Sequence, residues 1–230
     1  WRPNKLPRTE SQNRAYKNPD NDTRGPWKAD NYTSNKTSEQ RPNLFYPIIH
    51  PLTGKEVWPS KDRVWAYSYE EHQKHIEENR IWWGLNKQNG VPAYKRFLSE
   101  VGNRVPQTLW FYEEVGHNQD AVRELKELFS INPFSSPKPI ALLKRVLDIA
   151  DGELNLDYFA GSGTTAHAVL SLNKEDSGSR KYILVEMADY FDTVMKPRIQ
   201  KVCYSLNWKD GSPQDTDGIS HIFKYLSLES

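Results

Sequence analysis

The sequence has little of what would place it in an oxidising or lipid environment. One cysteine, Cys203, stands among 230 residues, so no internal disulfide can form. No apolar run approaches the roughly 18 residues of a membrane-spanning helix. The opening Trp1-Arg2-Pro3-Asn4-Lys5 is polar and has no leader pattern. These absences predict a cytoplasmic protein with no membrane association. An initiator methionine is also missing, which predicts a piece of something longer. Charge of one sign is absent too: 31 Lys and Arg face 30 Asp and Glu, so net charge argues neither for nor against nucleic acid. There is no internal repeat. With 37% hydrophobic residues the chain can bury one core, or one core plus a smaller lobe.

Residues 1–43 are rich in Pro, Asn, Asp, Ser and Thr and lack apolar periodicity, which predicts an extended arm, mostly loop, ordered only by packing on something else. Residues 1–41 carry nine Lys and Arg against five Asp and Glu, a modest basic bias. Two readings stay open: a solvated arm, or one whose Arg2, Arg8, Arg14 and Arg24 contact nucleic-acid phosphates. Residues 44–112 form an irregular, aromatic-rich region with short β-like runs at 44–49, 63–67, 81–84 and 107–112. Ser68 and Glu71 are spaced as a capping box for a helix reaching about Asn79, and residues 95–100 could form a helical turn. Six of the eight tryptophans fall between 27 and 110. They could stack on bases or fill a small core.

Beyond residue 113 the pattern becomes helical. Ala121, Val122, Leu125, Leu128 and Phe129 line one face, and a second helix opens at Ser136-Pro137, where proline is tolerated in the first turn, and runs to Ala150. A buried strand is predicted at 154–159, then a helix through Leu170 and a polar insert at 173–180. A strand at 181–186, a helix at 190–204 and a β-like run at 219–228 complete an α/β region, 113–230.

Between the first strand and its helix lies Asp157-Tyr158-Phe159-Ala160-Gly161-Ser162-Gly163-Thr164-Thr165. Glycines at 161 and 163 allow a tight turn and a close approach of ligand to backbone. The helix that follows presents unpaired N–H groups to the same spot, which suits a nucleotide-like ligand. Gly161 to Ala166 also fits the dinucleotide fingerprint. Only 64 residues follow Ala166, too few for a second mononucleotide half, which argues against a nicotinamide or flavin enzyme. Glu186 ends the next strand, where a carboxylate can accept from both hydroxyls of a free ribose; taken alone it reads more readily as a solvated strand end, and the loop beside it reverses that preference.

Asp157-x-Phe159-Ala160-Gly161-Ser162-Gly163-Thr164-Thr165 resembles the S-adenosylmethionine loop of the amino-methylating DNA methyltransferases. Phe134-Ser135-Ser136-Pro137-Lys138-Pro139, with Leu142, resembles the segment just before that loop in their permuted, β-type members. Asn18-Pro19-Asp20-x-Asp22-x-Arg24-Gly25-Pro26-Trp27, Tyr46-Pro47 with Pro51-x-Thr53-Gly54-Lys55, and Gly218 with Phe223-Lys224-Tyr225 are similar to modification subunits of type III restriction systems. The resemblance covers nearly the whole chain. It implies a Rossmann-like S-adenosylmethionine-dependent methyltransferase fold, here partial, and methyl transfer to the adenine amino group of double-stranded DNA. It implies that Phe134, Ser136, Lys138 and Pro139 lie beside the cofactor, with Lys138 on its carboxylate. Asp157, Phe159, Ala160, Gly161, Ser162, Gly163, Thr164 and Thr165 would surround its methionine and sugar, and Glu186 would hold the ribose. Residues 44–112 would be an α+β target-recognition module. A restriction subunit with helicase and nuclease activity and a second copy of the chain are the further partners the resemblance allows.

One departure bears on activity. The family grips a flipped adenine with a polar residue followed by Pro-Pro-aromatic, and none of the fifteen prolines here is followed by another. In the permuted order that motif would precede Trp1, so this chain is expected to lack its own methyl-transfer centre. The alternative is a non-catalytic DNA-binding or assembly module with an incomplete cofactor site. Elsewhere, His72 and His75 with Glu70 and Glu71 could suggest a metal, but no further ligand stands at the right spacing and a solvated helix face is the favoured reading. His167 could touch the cofactor or simply pack, with packing favoured, and Cys203 reads as a small core residue.

Overall fold

A computed structural model describes residues 2–227. The chain divides into two compact units, Pro7–Arg104, and Trp1–Leu6 together with Val105–Ser230.

In the first unit the helical turn α1 (Glu10–Asn13) precedes strands β1 (Trp27–Asn31), β2 (Thr33–Ser34), β3 (Ile48–Ile49), β4 (Glu56–Val57) and β5 (Val64–Trp65). Helix α2 (Tyr69–Glu77) and strands β6 (Ile81–Trp82) and β7 (Ala93–Phe97) follow. The predicted capping box closes α2: Ser68 Oγ accepts from Glu71 N at 3.3 Å, and Glu71 Oε2 accepts from Ser68 N at 2.9 Å. A three-stranded antiparallel sheet, β1-β7-β6, is the backbone of the unit, with Trp27 opposite Phe97 and Ala29 opposite Lys95. Two expectations fail here. The segment 1–43 is not an extended arm throughout, because 27–31 is a strand of that sheet. Residues 95–97 are strand rather than helical turn, with only Leu98–Glu100 turning as a 3₁₀ helix. Neither stretch has enough alternation to declare itself, and each is a strand because the other supplies its ladder.

Tyr32, Ile48, Trp65 and Trp83 form the core of this unit. Trp27, Trp65 and Trp83 are buried, so for these three the core reading holds, whereas Trp58 stays exposed beside Phe45. The two histidines correct another expectation. His72 is buried, and the Tyr32 hydroxyl lies 3.0 Å from Nδ1 of both His72 and His75, so the pair faces an aromatic core and not solvent. One hydroxyl can donate to one Nδ1 and accept from the other, so it partners that nitrogen of both rings.

In the second unit α3 (Tyr112–Val115) and α4 (Asn118–Phe129) lead to α5 (Ile140–Ala150), β8 (Leu154–Asp157), α6 (Thr164–Asp176) and β9 (Lys181–Leu184). A π turn, Phe191–Met195, opens α7 (Lys196–Tyr204), and the hairpin β10 (Trp208–Lys209) and β11 (Ser212–Pro213) follows. Strands β8 and β9 pair in parallel, Leu154 with Lys181 through Asp157 with Leu184, so β8-α6-β9 is a βαβ crossover in a mixed α/β unit. Helix α6 is its centre. Ala166, Ala168, Val169 and Leu170 are fully buried, against Leu125, Met195 and Val202 on one side and Leu147 on the other.

Several boundaries shift for local reasons. Helix α5 begins at Ile140, not Ser136, because Pro137 and Pro139 hold 136–139 extended, Pro139 with ψ 139°. Helix α6 runs on through the predicted polar insert to Asp176, its last turn held by Arg180 on Asp176 at 2.7 Å. The π turn lets the chain pass Pro197, which has no N–H to return to the preceding turn. The strand expected at 107–112 does not form, and 219–227 is not a strand either; Leu228 lies outside the described residues. No neighbouring strand pairs with either segment among the described residues. The β10–β11 hairpin turns on Asp210-Gly211, both at positive φ (47° and 79°), a dipeptide that signals such a turn in the sequence.

Candidate cofactor site

The glycine loop leaves β8 and enters α6 through two left-handed residues, Gly161 at φ +54° and Gly163 at φ +78°. A Cβ on Gly163 would come within 2.8 Å of Met195 Cγ, and one on Gly161 within 3.2 Å of Phe134 Cζ, so the loop is packed from behind as well as conformationally restricted. Asp157 ties it at the strand end: Oδ1 accepts from Phe159 N at 3.1 Å and Oδ2 from Thr165 Oγ1 at 2.5 Å. Glu186 ties it from the next strand. Its Oε2 accepts from Gly161 N at 2.9 Å, and its Oε1 from Met187 N and Ala188 N at 2.8 and 3.1 Å. Burial works against the Glu186 charge, yet the Gly161, Ala188 and Met187 amides outweigh it and hold the carboxyl below its usual range.

The 134–139 segment closes on the loop from the other side. Thr164 Oγ1 donates to the Lys138 carbonyl at 3.3 Å, and Glu124 Oε2 accepts from Ile140 N at 3.1 Å, anchoring the start of α5. Between loop and segment is a cavity of about 170 Å³ lined by Phe134, Ser136, Pro137, Lys138, Leu143, Asp157, Phe159, Ala160, Gly161, Ser162, Thr164 and Thr165. Ten of the thirteen residues expected around the cofactor thus line one space. Pro139 and Gly163 lie behind the lining, buried or in the loop backbone, and Glu186 reaches it through the Gly161 amide. The volume falls short of the ~300 Å³ of a complete small-ligand pocket, so the space is too small to enclose a whole nucleotide-sized molecule. A larger cavity of about 480 Å³ lies between β9, α7 and residues 221–226, away from the loop, and is lined mainly by apolar and aromatic side chains.

Sequence reasoning missed Arg198. It is fully buried on α7, and its Nη1 bonds Ser162 Oγ at 3.0 Å and Thr164 Oγ1 at 2.9 Å. Its Nε lies 3.3 Å from His167 Nδ1. Arginine can only donate, so His167 must accept at Nδ1 and carry its proton on Nε2. His167 therefore packs under the loop and does not line the cavity. Burial first, and then the Arg198 charge, push its imidazole well below its ordinary pKa. Unfolded, the ring takes a proton near pH 6.5; folded, it refuses it, so stability present above that pH falls as pH is lowered. Relative to the parent, His167→Gln is expected to lose about 1 kcal/mol less stability between pH 7 and 5.5. Equal losses in urea melts at the two pH values would show that His167 titrates normally.

The arginines expected to contact DNA are placed variously. Arg2 and Arg14 are exposed. Arg8 bonds Asn13 Oδ1 at 2.9 Å and the Gln12 carbonyl at 3.2 Å. Arg24 is held within its unit by Asp22 at 2.7 Å, by the Glu78 carbonyl at 2.8 Å and by the face of Phe97. No group of three or more His, Cys, Asp or Glu among the described residues could hold a metal, and no helix among them is long and apolar enough to cross a membrane.

The DNA methylase profile matches residues 12–196, four fifths of the chain and both cofactor-like motifs. The chain belongs to the DNA methylase family. It is 33% identical over 177 residues to the Mod subunit of the type III restriction-modification enzyme StyLTI of Salmonella typhimurium, covering 70% of this chain and 26% of the relative. It is 35% identical over 163 residues to the type II methyltransferase M.KpnI of Klebsiella pneumoniae, covering 64% and 38%. It is 32% identical over 151 residues to the EcoPI Mod subunit of Escherichia phage P1, covering 64% and 22%. The methylase chain thus spans about a quarter to two fifths of the length of these relatives. The type III modification subunits among them agree with the resemblance carried by the N-terminal and loop motifs.

Proposed function

We propose that the chain is the S-adenosylmethionine-binding part of an adenine-specific DNA methyltransferase, the modification subunit of a type III restriction system, within a Rossmann-like methyltransferase domain. The observation that carries this reading is convergence: two motifs some twenty residues apart line one cavity, and Glu186 reaches the same loop from the neighbouring strand. The donor set fits the cofactor, with a cation at Lys138, carboxylates at Asp157 and Glu186, and the open first turn of α6. Bound there, S-adenosylmethionine supplies an electrophilic methyl on a sulfonium. The chain's own residues bind and orient: Lys138 holds the carboxylate, the loop around Phe159 to Thr165 follows the methionine and sugar, and Glu186 accepts from the ribose hydroxyls. The Pro-Pro-aromatic grip on adenine is not among its residues, so base positioning falls to groups this chain does not contain.

The test is titration calorimetry of the chain with S-adenosylmethionine and S-adenosylhomocysteine. Saturable binding is expected. A folded sample that takes up neither at millimolar concentration would favour a DNA-binding or assembly module with an incomplete cofactor site.

On the same reading the target is double-stranded DNA in the cytoplasm, residues 44–112 serve target recognition, and a restriction subunit and a second copy are the protein partners. Arg2, Arg8, Arg14 and Arg24 are the phosphate contacts of the N-terminal segment, although Arg24 is also paired with Asp22 within its unit. Replacing the first three by Gln is expected to lower the slope of log K against log salt by about 0.9 for each phosphate left without its arginine. An unchanged slope would remove them from the DNA interface.

A further inference from the structure

Arg198 poses a physical problem. It has no exposed surface, pairs with no carboxylate among the described residues, and leaves Nη2 without a partner. An unpaired buried cation is costly, and an apolar side chain of similar volume commonly serves stability as well or better. The groups it touches do not need it for satisfaction. Ser162 Oγ and Thr164 Oγ1 lie 3.3 Å apart and can bond each other. Burial pushes the guanidinium down to about 10 against the opposing pull of the Glu124 charge, to which it is not bonded, and it stays charged at neutral pH.

What the guanidinium supplies is direction. Nη1 donates to Thr164 Oγ1, whose single proton then has to go elsewhere, and the Lys138 carbonyl stands 3.3 Å away to accept it. The same Nη1 reaches the Ser162 carbonyl at 3.3 Å and its hydroxyl at 3.0 Å. A chain of bonds therefore runs from α7 through the glycine loop to the 134–139 segment, and so joins the two stretches that line the cavity. Gly163 packs on Met195, at the junction of the π turn and α7, so backbone contact and polar contact tie the loop to the same helix start.

We propose that Arg198 is a positioning residue that sets the spacing between the glycine loop and the 134–139 segment, acting through Thr164. The proposal rests on the reading of this cavity as the cofactor site. Its test is a double-variant cycle in the full chain: parent, Arg198→Met, Thr164→Val and the two together, titrated with S-adenosylhomocysteine, with melting curves taken without ligand. Arg198→Met is expected to weaken binding by about tenfold while its melting temperature stays within about 5 °C of the parent. The combined variant is expected to bind no more than about threefold more weakly than the worse single one, because both cut the same connection. A folded Arg198→Met protein with affinity within about twofold of the parent overturns the proposal, and so do losses that multiply. Should Arg198→Met not fold, Arg198→Lys carries the test: weakened binding in a folded protein supports positioning, and unchanged affinity overturns it. If the parent itself does not bind, the cofactor reading fails, and the Arg198 proposal with it.

Discussion

Replacing Glu186 by alanine is expected to weaken the binding of S-adenosylhomocysteine by about a hundredfold. Hydrogen bonds to a charged group contribute about 1.5–3 kcal/mol each, and every 1.4 kcal/mol is a factor of ten. The carboxylate has two tasks that alanine abandons together. It accepts from Gly161 N, which shapes the loop, and, with Oε1 taken by two amides, Oε2 keeps one further lone pair for the proposed ribose. Met187 N and Ala188 N lose their shared acceptor as well, but both can turn to water at an exposed strand end. Glu186→Gln preserves the shape and removes the charge, and one of its two positions must put an NH₂ group against a backbone N–H. It is expected to fall between parent and alanine, at about tenfold. Calorimetry decides: an alanine variant within threefold of the parent would assign Glu186 to loop structure alone.

The largest effect on stability is expected in the other unit. Lys95→Ala is predicted to cost about 3–5 kcal/mol, the range for breaking a buried pair. The Lys95 side chain is 2% exposed, and its ammonium bonds Asp20 and lies 3.3 Å from Asp22. The rings of Trp27 and Trp82 flank the charge at 5.5 and 6.0 Å. Removing the ammonium leaves two carboxylates under one strand, though not without partners, since Asp22 keeps Arg24 and Asp20 keeps Trp27 Nε1 at 2.8 Å. Lys95→Met restores the packing of the stem against the tryptophans and is expected to recover about half the loss. Urea denaturation followed by tryptophan fluorescence measures both, and two of the eight tryptophans, Trp27 and Trp82, flank Lys95. A loss below about 1 kcal/mol for alanine would mean that the pair behaves as a surface salt bridge.

Much of the second unit was legible because its signals are local. The apolar face of α4, the strand–glycine loop–helix sequence and the acidic end of the next strand each follow from local spacing, although the strand expected to be buried over 154–159 spans Leu154–Asp157 and leaves Leu154 and Leu156 exposed. The convergence of the 134–139 segment on the loop came from resemblance, and the structure supplies its means: the Thr164 bond to the Lys138 carbonyl and Glu124 on the Ile140 amide. The misses share a cause. Residues 27–31 and 93–97 are strands only as a pair, and 107–112, with better β composition, has no pairing strand. A strand's hydrogen bonds leave the segment, so its existence depends on a partner that composition does not name. Asp210-Gly211, in contrast, carries a turn signal within the dipeptide itself, although no hairpin was expected there.

Sequence by itself determined most elements whose hydrogen bonds close within a few residues, the capping box at Ser68 and helices α2 and α4 to α7 though not α1 or α3, and it determined the chemistry of the loop through its glycines and flanking acids. Tertiary structure decided which polar groups are buried together. Lys95 between two aspartates, His72 and His75 on one tyrosine hydroxyl, and Arg198 beneath the glycine loop all look like surface residues in the sequence. Their partners lie between 31 and 75 positions away. Burial of a charge is set by what packs around it in space, and that is known only once the chain has folded.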